Sequence, residues 1–439
     1  MRHASRLAPL LLGAAAGLPS LPGAGFAQGI GEGTLRATLS QRFEVDSNYR
    51  LDHDSAGVTS FGDTRLDIEM LKENSTQAFR LGFDTGLRAL WEADQEFDFT
   101  FASPSTANVG YNQAWIDGSL GAELRYRQRN VDYLDDLIFE TENGIIIPTD
   151  LNQLTRNTIE QRYDANLELA VRQGAPSSYR FALDATQFDY RDDGNGQYGP
   201  RSTVYGEAEW LLRLNPVLSG SLLGSLSHFD TEAGTASTVD VAELTAGIVY
   251  QPSDVLSANL GLGYSDRTRE QTINDERRQT EDFQGVVVRG GLNYDVADDL
   301  LLTVNARVTT AAPSTRLSGG VLARYLLPRG ALTARLAQNY TGDTDGDEVR
   351  ITTAGLGLTH TINNLSSVGF NVAYGLQVNE DNPNVEDLNR ADFSATYSRS
   401  LTSLVYANLG YRFRWRDQEE SASGNAVFFT IGRSFETGF

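Results

Sequence analysis

The chain contains no cysteine and one lysine among its 439 residues. The lack of cysteine excludes disulfides, thiolate metal ligands and a cysteine-linked lipid anchor. Beyond the N-terminus there is no helix-length apolar run, and the mean hydropathy is −0.33, so an α-helical membrane protein is disfavoured. Because Lys72 is the single lysine, arginine supplies nearly all of the positive charge.

Basic side chains are also few relative to acidic ones, with 36 Lys and Arg against 58 Asp and Glu and a formal net charge of −22. Such acidity argues against a nucleic-acid partner, because nucleic-acid surfaces are themselves strongly anionic. It is compatible with a surface whose acidic loops meet divalent cations and the headgroups of lipid and lipopolysaccharide.

The N-terminus has the organisation of a secretory signal peptide. Arg2 and Arg6 precede an apolar run over residues 7–18, and Gly25 and Ala27, on either side of Phe26, supply the small residues at alternate positions that signal peptidase accepts. The run is shorter than the roughly 20 residues that a transmembrane helix needs. We therefore predict a signal peptide over residues 1–27 and one barrel domain over residues 28–439. Because few residues separate the predicted cleavage site from the first strand, we expect no N-terminal plug domain.

From Thr34 to Phe439 the same unit recurs: a strand of alternating apolar and polar residues, a tight turn, a second strand and a longer acidic loop. The 42 glycines, 18 tyrosines and 20 phenylalanines fit a barrel with bends and two aromatic girdles. The alternation predicts an all-β fold, a transmembrane antiparallel up-and-down β-barrel of about 20 strands, with 18 as the alternative. Short turns are predicted on the periplasmic side and longer loops on the extracellular side. A β-sandwich or propeller is disfavoured because charge is concentrated on the face opposite the apolar one.

Three places in this pattern are irregular. Phe181 and Leu183 face one side of their strand, whereas Phe188 and Tyr190 face the other. This change of face predicts a bulge or a strand rising above the bilayer. In the ambiguous segment 107–133 we place a turn at 118–121. Residues 269–280 are predicted to form an extracellular loop.

The last fifteen residues form a two-faced strand that ends on an aromatic residue. This stretch resembles the terminal strand of bacterial outer-membrane β-barrels, which the barrel-assembly machinery recognises; the resemblance rests on Phe429, Ile431, Phe435 and Phe439. The whole mature chain is similar to a porin-like β-barrel family of proteobacterial outer membranes. That resemblance implies an integral outer-membrane location and an architecture more than a substrate.

Two arginine ladders are predicted to line the lumen, and the longest connection, 134–157, is predicted to fold inward. Guanidinium and carboxylate groups on opposite walls of a constriction would orient small polar solutes. The alternative is that the arginines only satisfy carboxylates of the wall. The predicted pore-lining set is Arg125, Arg127, Arg129, Arg412, Arg414 and Arg416 on the wall, with Asp135, Asp136, Glu140 and Glu142 on the loop.

An enzymatic function is disfavoured. Only His53, His228 and His360 follow the predicted signal peptide, and there is no G-x-S-x-G or H-E-x-x-H motif. Residues 343–347 carry alternate aspartates, but they lack the glycine that a calcium loop needs at its sixth position. We expect no cofactor and no metal site.

The sequence thus supports two functional hypotheses. The first is an outer-membrane channel for passive diffusion of small hydrophilic solutes or ions. The alternative is the outer-membrane barrel of an exopolysaccharide or other secretion system. A homo-oligomer is compatible with the sequence, although no interface is indicated.

Overall fold

A computed structural model describes residues 33–55, 57–91, 97–102, 104–130, 158–191, 199–232, 236–273, 276–311, 315–342, 348–380 and 385–439. The predicted signal peptide lies outside these residues. No helix in the described segments is long and apolar enough to span a lipid bilayer. The described residues form 21 strands: β1 (Gly33–Asp46), β2 (Thr59–Glu73), β3 (Gln77–Trp91), β4 (Asp98–Phe101), β5 (Ser105–Trp115), β6 (Gly118–Asn130), β7 (Ile159–Val171), β8 (Ser177–Arg191), β9 (Arg201–Asn215), β10 (Leu218–Thr231), β11 (Ser237–Ser253), β12 (Leu256–Ile273), β13 (Glu276–Ala297), β14 (Leu300–Thr309), β15 (Arg316–Leu327), β16 (Gly330–Gly342), β17 (Glu348–Asn363), β18 (Ser366–Asn379), β19 (Leu388–Ser400), β20 (Val405–Asp417) and β21 (Ser421–Gly438).

These strands form one closed antiparallel barrel. Neighbours in sequence pair with one another, and β1 pairs with β21 to close the sheet. β4 and β5 share one position in the wall, because both pair with β3, β4 along its last residues and β5 along its first. In the described residues the barrel therefore has 20 wall positions. The prediction of about 20 strands is confirmed, and the alternative of 18 is wrong.

At one end of the barrel the turns are short, and at the other end most connections are longer; β12–β13 and β20–β21 are the loop-end exceptions. Two predicted boundaries were wrong. The turn in the ambiguous segment is at 116–117, and the residues predicted as that turn lie in β6. Most of the predicted loop 269–280 continues β12 and β13, which have 18 and 22 residues. Because a membrane-spanning strand needs about 9–11 residues, this hairpin extends past the apolar belt.

The outer face of the wall is apolar around the barrel. Tyr264, Tyr374 and Tyr411 lie on this face near the middle of their strands, and each hydroxyl donates to a side-chain amide oxygen on the next strand at 2.5–2.7 Å. The hydroxyl of each tyrosine is thus hydrogen-bonded within the sheet, while its ring adds to the apolar surface. The exposed aliphatic belt includes Leu39, Leu66, Leu81, Leu124, Leu183, Leu226, Leu244, Leu260, Leu336, Leu356, Val372 and Leu409.

The irregular phase in β8 has a different cause from the predicted bulge. The pairing of β8 with β7 and β9 keeps one register along its length. Phe188 instead points inward and is buried, with the guanidinium carbon of Arg201 4.2 Å and that of Arg162 5.2 Å from the ring centroid. A cation over an aromatic face is favourable, so an inward aromatic residue is stable among lumen arginines.

Charged side chains are buried in one half of the lumen. Among the described residues, every buried Asp, Glu or Arg lies in the half of its strand next to the longer loops. A buried charge is stable only when it is paired and hydrogen-bonded, so this half of the lumen is a layer of ion pairs. We refer to it as the outer ion-pair layer. It comprises Glu44, Asp46, Asp63, Arg88, Arg129, Glu160, Arg201, Glu243, Arg267, Arg269, Glu348, Arg390, Asp392 and Arg414 with the side chains that pair with them.

The first long connection, 47–58, folds onto the lumen face of β21. Leu51 is buried and contacts Ala422, and the Asn48 side-chain amide donates to the Ser423 carbonyl at 3.2 Å. At Gly424 a Cβ atom would lie 2.7 Å from the Asn48 carbonyl oxygen, so only glycine permits this approach. The small inward residues of β21 therefore provide the space into which the loop folds.

Candidate functional site

The lumen holds the candidate site, and the predicted ladder on β20 belongs to the outer ion-pair layer. Arg412 pairs with Glu44, and Arg414 donates to Asp46 at 2.6 Å and to the Tyr49 carbonyl at 3.1 Å. Both carboxylates come from β1. Two arginines of this ladder thus satisfy carboxylates of the wall.

Arg416, the third arginine of the β20 ladder, donates to the Gln418 side chain at 2.9 Å. Asp417 and Gln418 lie at the loop end, where β20 leaves the barrel. Arg416 therefore lies at the rim of the lumen.

The ladder on β6 is divided between exposed and buried arginines. Arg125 contacts Glu123 at 2.9 Å, and both side chains are more than 40% exposed. Arg129 instead forms a bidentate pair with Glu160 at 2.6 and 2.9 Å, and both are buried. Arg127 lies between them, opposite Arg162 on β7. Only the loop end of this ladder is therefore part of the buried layer.

The structure does not place the two ladders opposite each other. Five wall positions, namely β21, β1, β2, β3 and the position shared by β4 and β5, separate β20 from β6 in a barrel of 20. The predicted loop carboxylates Asp135, Asp136, Glu140 and Glu142 lie outside the described residues. Assignment of the ten residues to the pore lining remains a prediction.

A larger group of charges, which the sequence analysis missed, lies between β11 and β17. Glu243 pairs with both Arg289 and Arg307. Glu348 accepts from Arg267 at 2.6 Å and also pairs with Arg316. We call the following seven residues the arginine array: Glu243, Arg267, Arg269, Arg289, Arg307, Arg316 and Glu348.

The arginine array lines a cavity of about 580 Å³ inside the barrel. The cavity extends from β9 to β17, and hydroxyl side chains such as Thr203, Ser225 and Ser318 complete much of its wall. Inward parity in β12, β13, β14 and β15 could have identified these arginines from the sequence. Their convergence on two carboxylates could not be predicted, because Arg267 and Glu348 lie 81 residues apart.

A second lumen cavity, of about 350 Å³, lies beside β16–β20. Thr333, Asn371 and Ser394 contribute polar groups to it, and Arg412 and Asp392 contribute charge. The lumen is therefore polar beyond the arginine array as well.

The four residues predicted as an assembly signal lie along β21 and at its end. Phe429, Ile431 and Phe435 are 39–48% exposed on the outer face. The backbone of Phe439 exchanges two hydrogen bonds of 2.9 Å with Gly33, which fastens the end of the chain to β1. Recognition by the assembly machinery remains a prediction.

His53 and His228 lie near the loop end of the barrel. His228 Nδ1 lies 2.7 Å from the Asp240 carboxylate, and both side chains are exposed near the loop end. His53 Nδ1 lies 3.2 Å from the Ser421 carbonyl. In the described residues no serine or threonine hydroxyl is bonded to either histidine, so neither has the nucleophile that a hydrolase requires. The same residues contain no group of three potential metal ligands.

The closed barrel, its apolar belt and its charged lumen define a class of protein. A closed sheet satisfies its backbone hydrogen bonds internally, as lipid requires, and the exposed leucines face the hydrocarbon. The chain is an integral outer-membrane β-barrel protein. The loop end is the outer end, because barrels of this class carry their longer loops there.

No family model and no curated protein matches the sequence. Solved structures do match the fold. The FrpB iron transporter from Neisseria meningitidis has a TM-score of 0.50 and 10% identity over 92% of this chain and 82% of that chain. The ferric-catecholate import receptor Fiu from E. coli K12 has a TM-score of 0.48 and 8% identity over 92% and 81%. The ferric enterobactin receptor PfeA from Pseudomonas aeruginosa has a TM-score of 0.46 and 11% identity over 92% and 81%.

At these identities the likeness extends to the fold alone. The resemblance to a porin-like family is therefore supported only in its coarser form, an outer-membrane β-barrel. These three solved structures are described as receptors or transporters for iron compounds, and the narrower assignment to a porin-like family stays a prediction.

Proposed function

We propose that the chain forms an outer-membrane channel through which small hydrophilic solutes pass. The observation that carries the proposal is the cavity of about 580 Å³ within the lumen, lined by guanidinium, carboxylate and hydroxyl groups. Such groups replace the hydration of a polar solute, whereas an apolar lumen would exclude it. FrpB, which shares the fold, is described as an iron transporter, and this is compatible with transport as the general role.

Solute entry into proteoliposomes tests this proposal. Liposomes that contain the refolded protein are expected to swell in isotonic arabinose or glucose faster than protein-free liposomes. Swelling no faster than that of protein-free liposomes, with a barrel that is folded by circular dichroism, would contradict the channel.

Two tryptophan variants on β10 distinguish passage through the lumen from leakage around the barrel. Ser227 lines the cavity, whereas Leu226 is 67% exposed on the lipid-facing side. Ser227→Trp is expected to slow swelling because the indole occupies the cavity. Leu226→Trp places the same group in lipid and is expected to leave the rate unchanged. Equal rates for the two variants would show that solutes do not pass this cavity.

A second candidate is the barrel of a secretion system, in which the outer end is closed until a partner opens it. The outer ion-pair layer and the inward fold of loop 47–58 favour this candidate. It predicts no solute entry through the native barrel and entry once loop 47–58 is displaced.

A further inference from the structure

The cavity lined by the arginine array has the size of a small-molecule ligand site. Its volume of about 580 Å³ falls within the range of roughly 300–1,000 Å³ found for small-molecule sites. It occupies the loop half of the lumen, where a solute entering from outside would meet it first. A polar wall is sufficient for a channel, whereas this cavity also contains an excess of arginine over glutamate.

Charge in the cavity is unbalanced. Its lining contains five arginines and two glutamates, which gives a formal charge of +3. The protein as a whole has a formal charge of −22, so this concentration of positive charge runs against the composition. A low-dielectric wall around such a cluster attracts anions and repels cations.

The two carboxylates leave guanidinium donors unused. Glu243 is shared by Arg289 and Arg307, with the Ser265 hydroxyl at 3.2 Å, and Glu348 is shared by Arg267 and Arg316. A guanidinium group has five N–H donors, and a carboxylate accepts about four hydrogen bonds. The side chains of Arg289 and Arg307 remain 24% and 34% exposed and line the cavity, so N–H donors that Glu243 does not occupy are accessible to a solute. The glutamates hold the arginines in place without exhausting their donors.

The rest of the lining matches a ring-sized organic solute more closely than a bare ion. Thr203, Ser225 and Ser227 place hydroxyls on one side of the cavity. Phe229 and Val241 place apolar surface beside them. A sugar ring presents hydroxyl groups at its edge and C–H groups on its faces, and this lining offers partners to both.

We propose that the cavity binds sugar-sized solutes that carry a phosphate, sulfate or carboxylate group. The inference rests on the proposed channel function and names the solute class that the channel selects. The guanidinium groups pair with the oxyanion in charge-assisted hydrogen bonds, which are stronger than neutral ones. A neutral sugar makes only the neutral hydrogen bonds and is bound less tightly.

Binding to the purified protein in detergent tests the inference without requiring transport. Glucose 6-phosphate, glucose and inorganic phosphate are the probes, titrated by calorimetry at low ionic strength. Glucose 6-phosphate is expected to bind on the order of tenfold more tightly than glucose, as one or more charge-assisted bonds would give. Equal affinity for the two sugars would overturn the oxyanion site. Phosphate binding as tight as that of glucose 6-phosphate would overturn the sugar-sized class.

Variants locate the binding in the cavity. Arg307→Gln leaves Glu243 paired with Arg289, and Arg316→Gln leaves Glu348 paired with Arg267, so no buried carboxylate loses its last arginine. The double variant lowers the formal charge of the cavity from +3 to +1. It is expected to weaken glucose 6-phosphate binding about tenfold and to leave glucose binding unchanged. Arg80→Gln combined with Arg324→Gln is the charge-matched control, because both arginines lie on the inward parity of their strands, β3 and β15, outside this cavity. A loss as large in the control as in the double variant would overturn the assignment to the cavity.

The two proposals fail separately. Charge-selective binding without solute entry would contradict the channel and leave the site intact. Solute entry without charge-selective binding would leave the channel intact and contradict the site.

Discussion

Arg88 and Asp63 illustrate how single residues stabilise the lumen. The guanidinium of Arg88 contacts the two carboxylate oxygens of Asp63 at 2.6 and 2.7 Å, and both side chains are less than 10% exposed. The inward ring of Phe61 lies under the guanidinium, with its centroid 4.4 Å from the guanidinium carbon. Both charges of such a pair lose their hydration on folding. The pair therefore contributes to the stability of the barrel only when both partners are present.

Removing one partner of this pair should be costly. Arg88→Met leaves a buried carboxylate without its bidentate partner and is expected to destabilise the barrel by about 3–5 kcal/mol. The measurement is urea unfolding in detergent, followed by tryptophan fluorescence. The double variant Arg88→Met with Asp63→Leu removes both charges and should recover most of the loss. A double variant less stable than Arg88→Met would contradict this account of the pair.

At this scale the sequence predicted which arginines face inward but not their partners. Alternation along β20 assigns Arg412 and Arg414 to the lumen. Their carboxylates, Glu44 and Asp46, lie more than 360 residues earlier and become neighbours only when β1 closes against β21. Phe188 was likewise taken as the sign of a β-bulge, because apolar residues were expected on the outer face only. Periodicity alone does not distinguish a bulge from an aromatic ring that faces inward and stacks on an arginine.

At the scale of elements, β21 combines an apolar outer face with an unusually small inner one. Ala422, Gly424 and Ala426 face inward where loop 47–58 folds against the strand. The Ser47 amide donates to the Asn425 carbonyl at 2.9 Å, which continues the pairing of β1 and β21 into the loop. The position of the loop thus depends on the absence of side chains on one strand.

A side chain at Gly424 should therefore displace the loop. Gly424→Val brings carbon atoms against the Asn48 carbonyl, so the loop has to leave the lumen while the outer face of β21 is unchanged. Single-channel conductance is expected to rise. Gly369→Val is the matched control, since Gly369 faces the lumen from β18 and a Cβ there would have no atom within 4 Å. Conductance of Gly424→Val equal to that of the control would show that loop 47–58 does not narrow the passage.

The ladder on β20 offers a test of charge selectivity. Arg412→Ser combined with Arg414→Ser removes the guanidinium groups that pair with Glu44 and Asp46, so two carboxylates remain in the lumen. The reversal potential in a salt gradient is expected to shift toward cation selectivity. Arg433→Ser serves as the control, because Arg433 lies on the outer parity of β21 with its guanidinium over Phe435. No shift relative to the control would remove this ladder from the pore lining.

The strands were predicted more successfully than the connections. Period-two alternation identified the wall because one face meets lipid and the other water, a contrast that every strand repeats. The ends of β12 and β13 were misassigned because strands that leave the bilayer lose this contrast and resemble an acidic loop. The predicted inward segment 134–157 lies outside the described residues, whereas loop 47–58, which does fold inward, has no apolar cluster that marks it.

At the scale of the whole molecule, charge is arranged in layers. The described lumen concentrates its buried ion pairs in the outer half, and toward the turns the charged groups, such as Arg180 with Glu207 and Glu209, are more exposed. A solute entering from outside would therefore meet the half of the lumen that contains the buried ion pairs before the half that does not. The solute selection that we propose would therefore act at the outer entrance.

The fold class, the strand number and the membrane location could all be predicted from alternation, turn lengths and the terminal strand. The cavity could not, because it depends on how a closed barrel brings β9 to β17 around one volume. Long-range closure is not encoded in any local pattern.

Conductance of the purified, refolded protein in a planar lipid bilayer tests the channel most directly. In a salt gradient the account predicts stable ohmic steps that are reduced by glucose 6-phosphate more strongly than by glucose. A barrel that is folded and inserted but never conducts would contradict the channel, and the closed secretion barrel would then account for the structure.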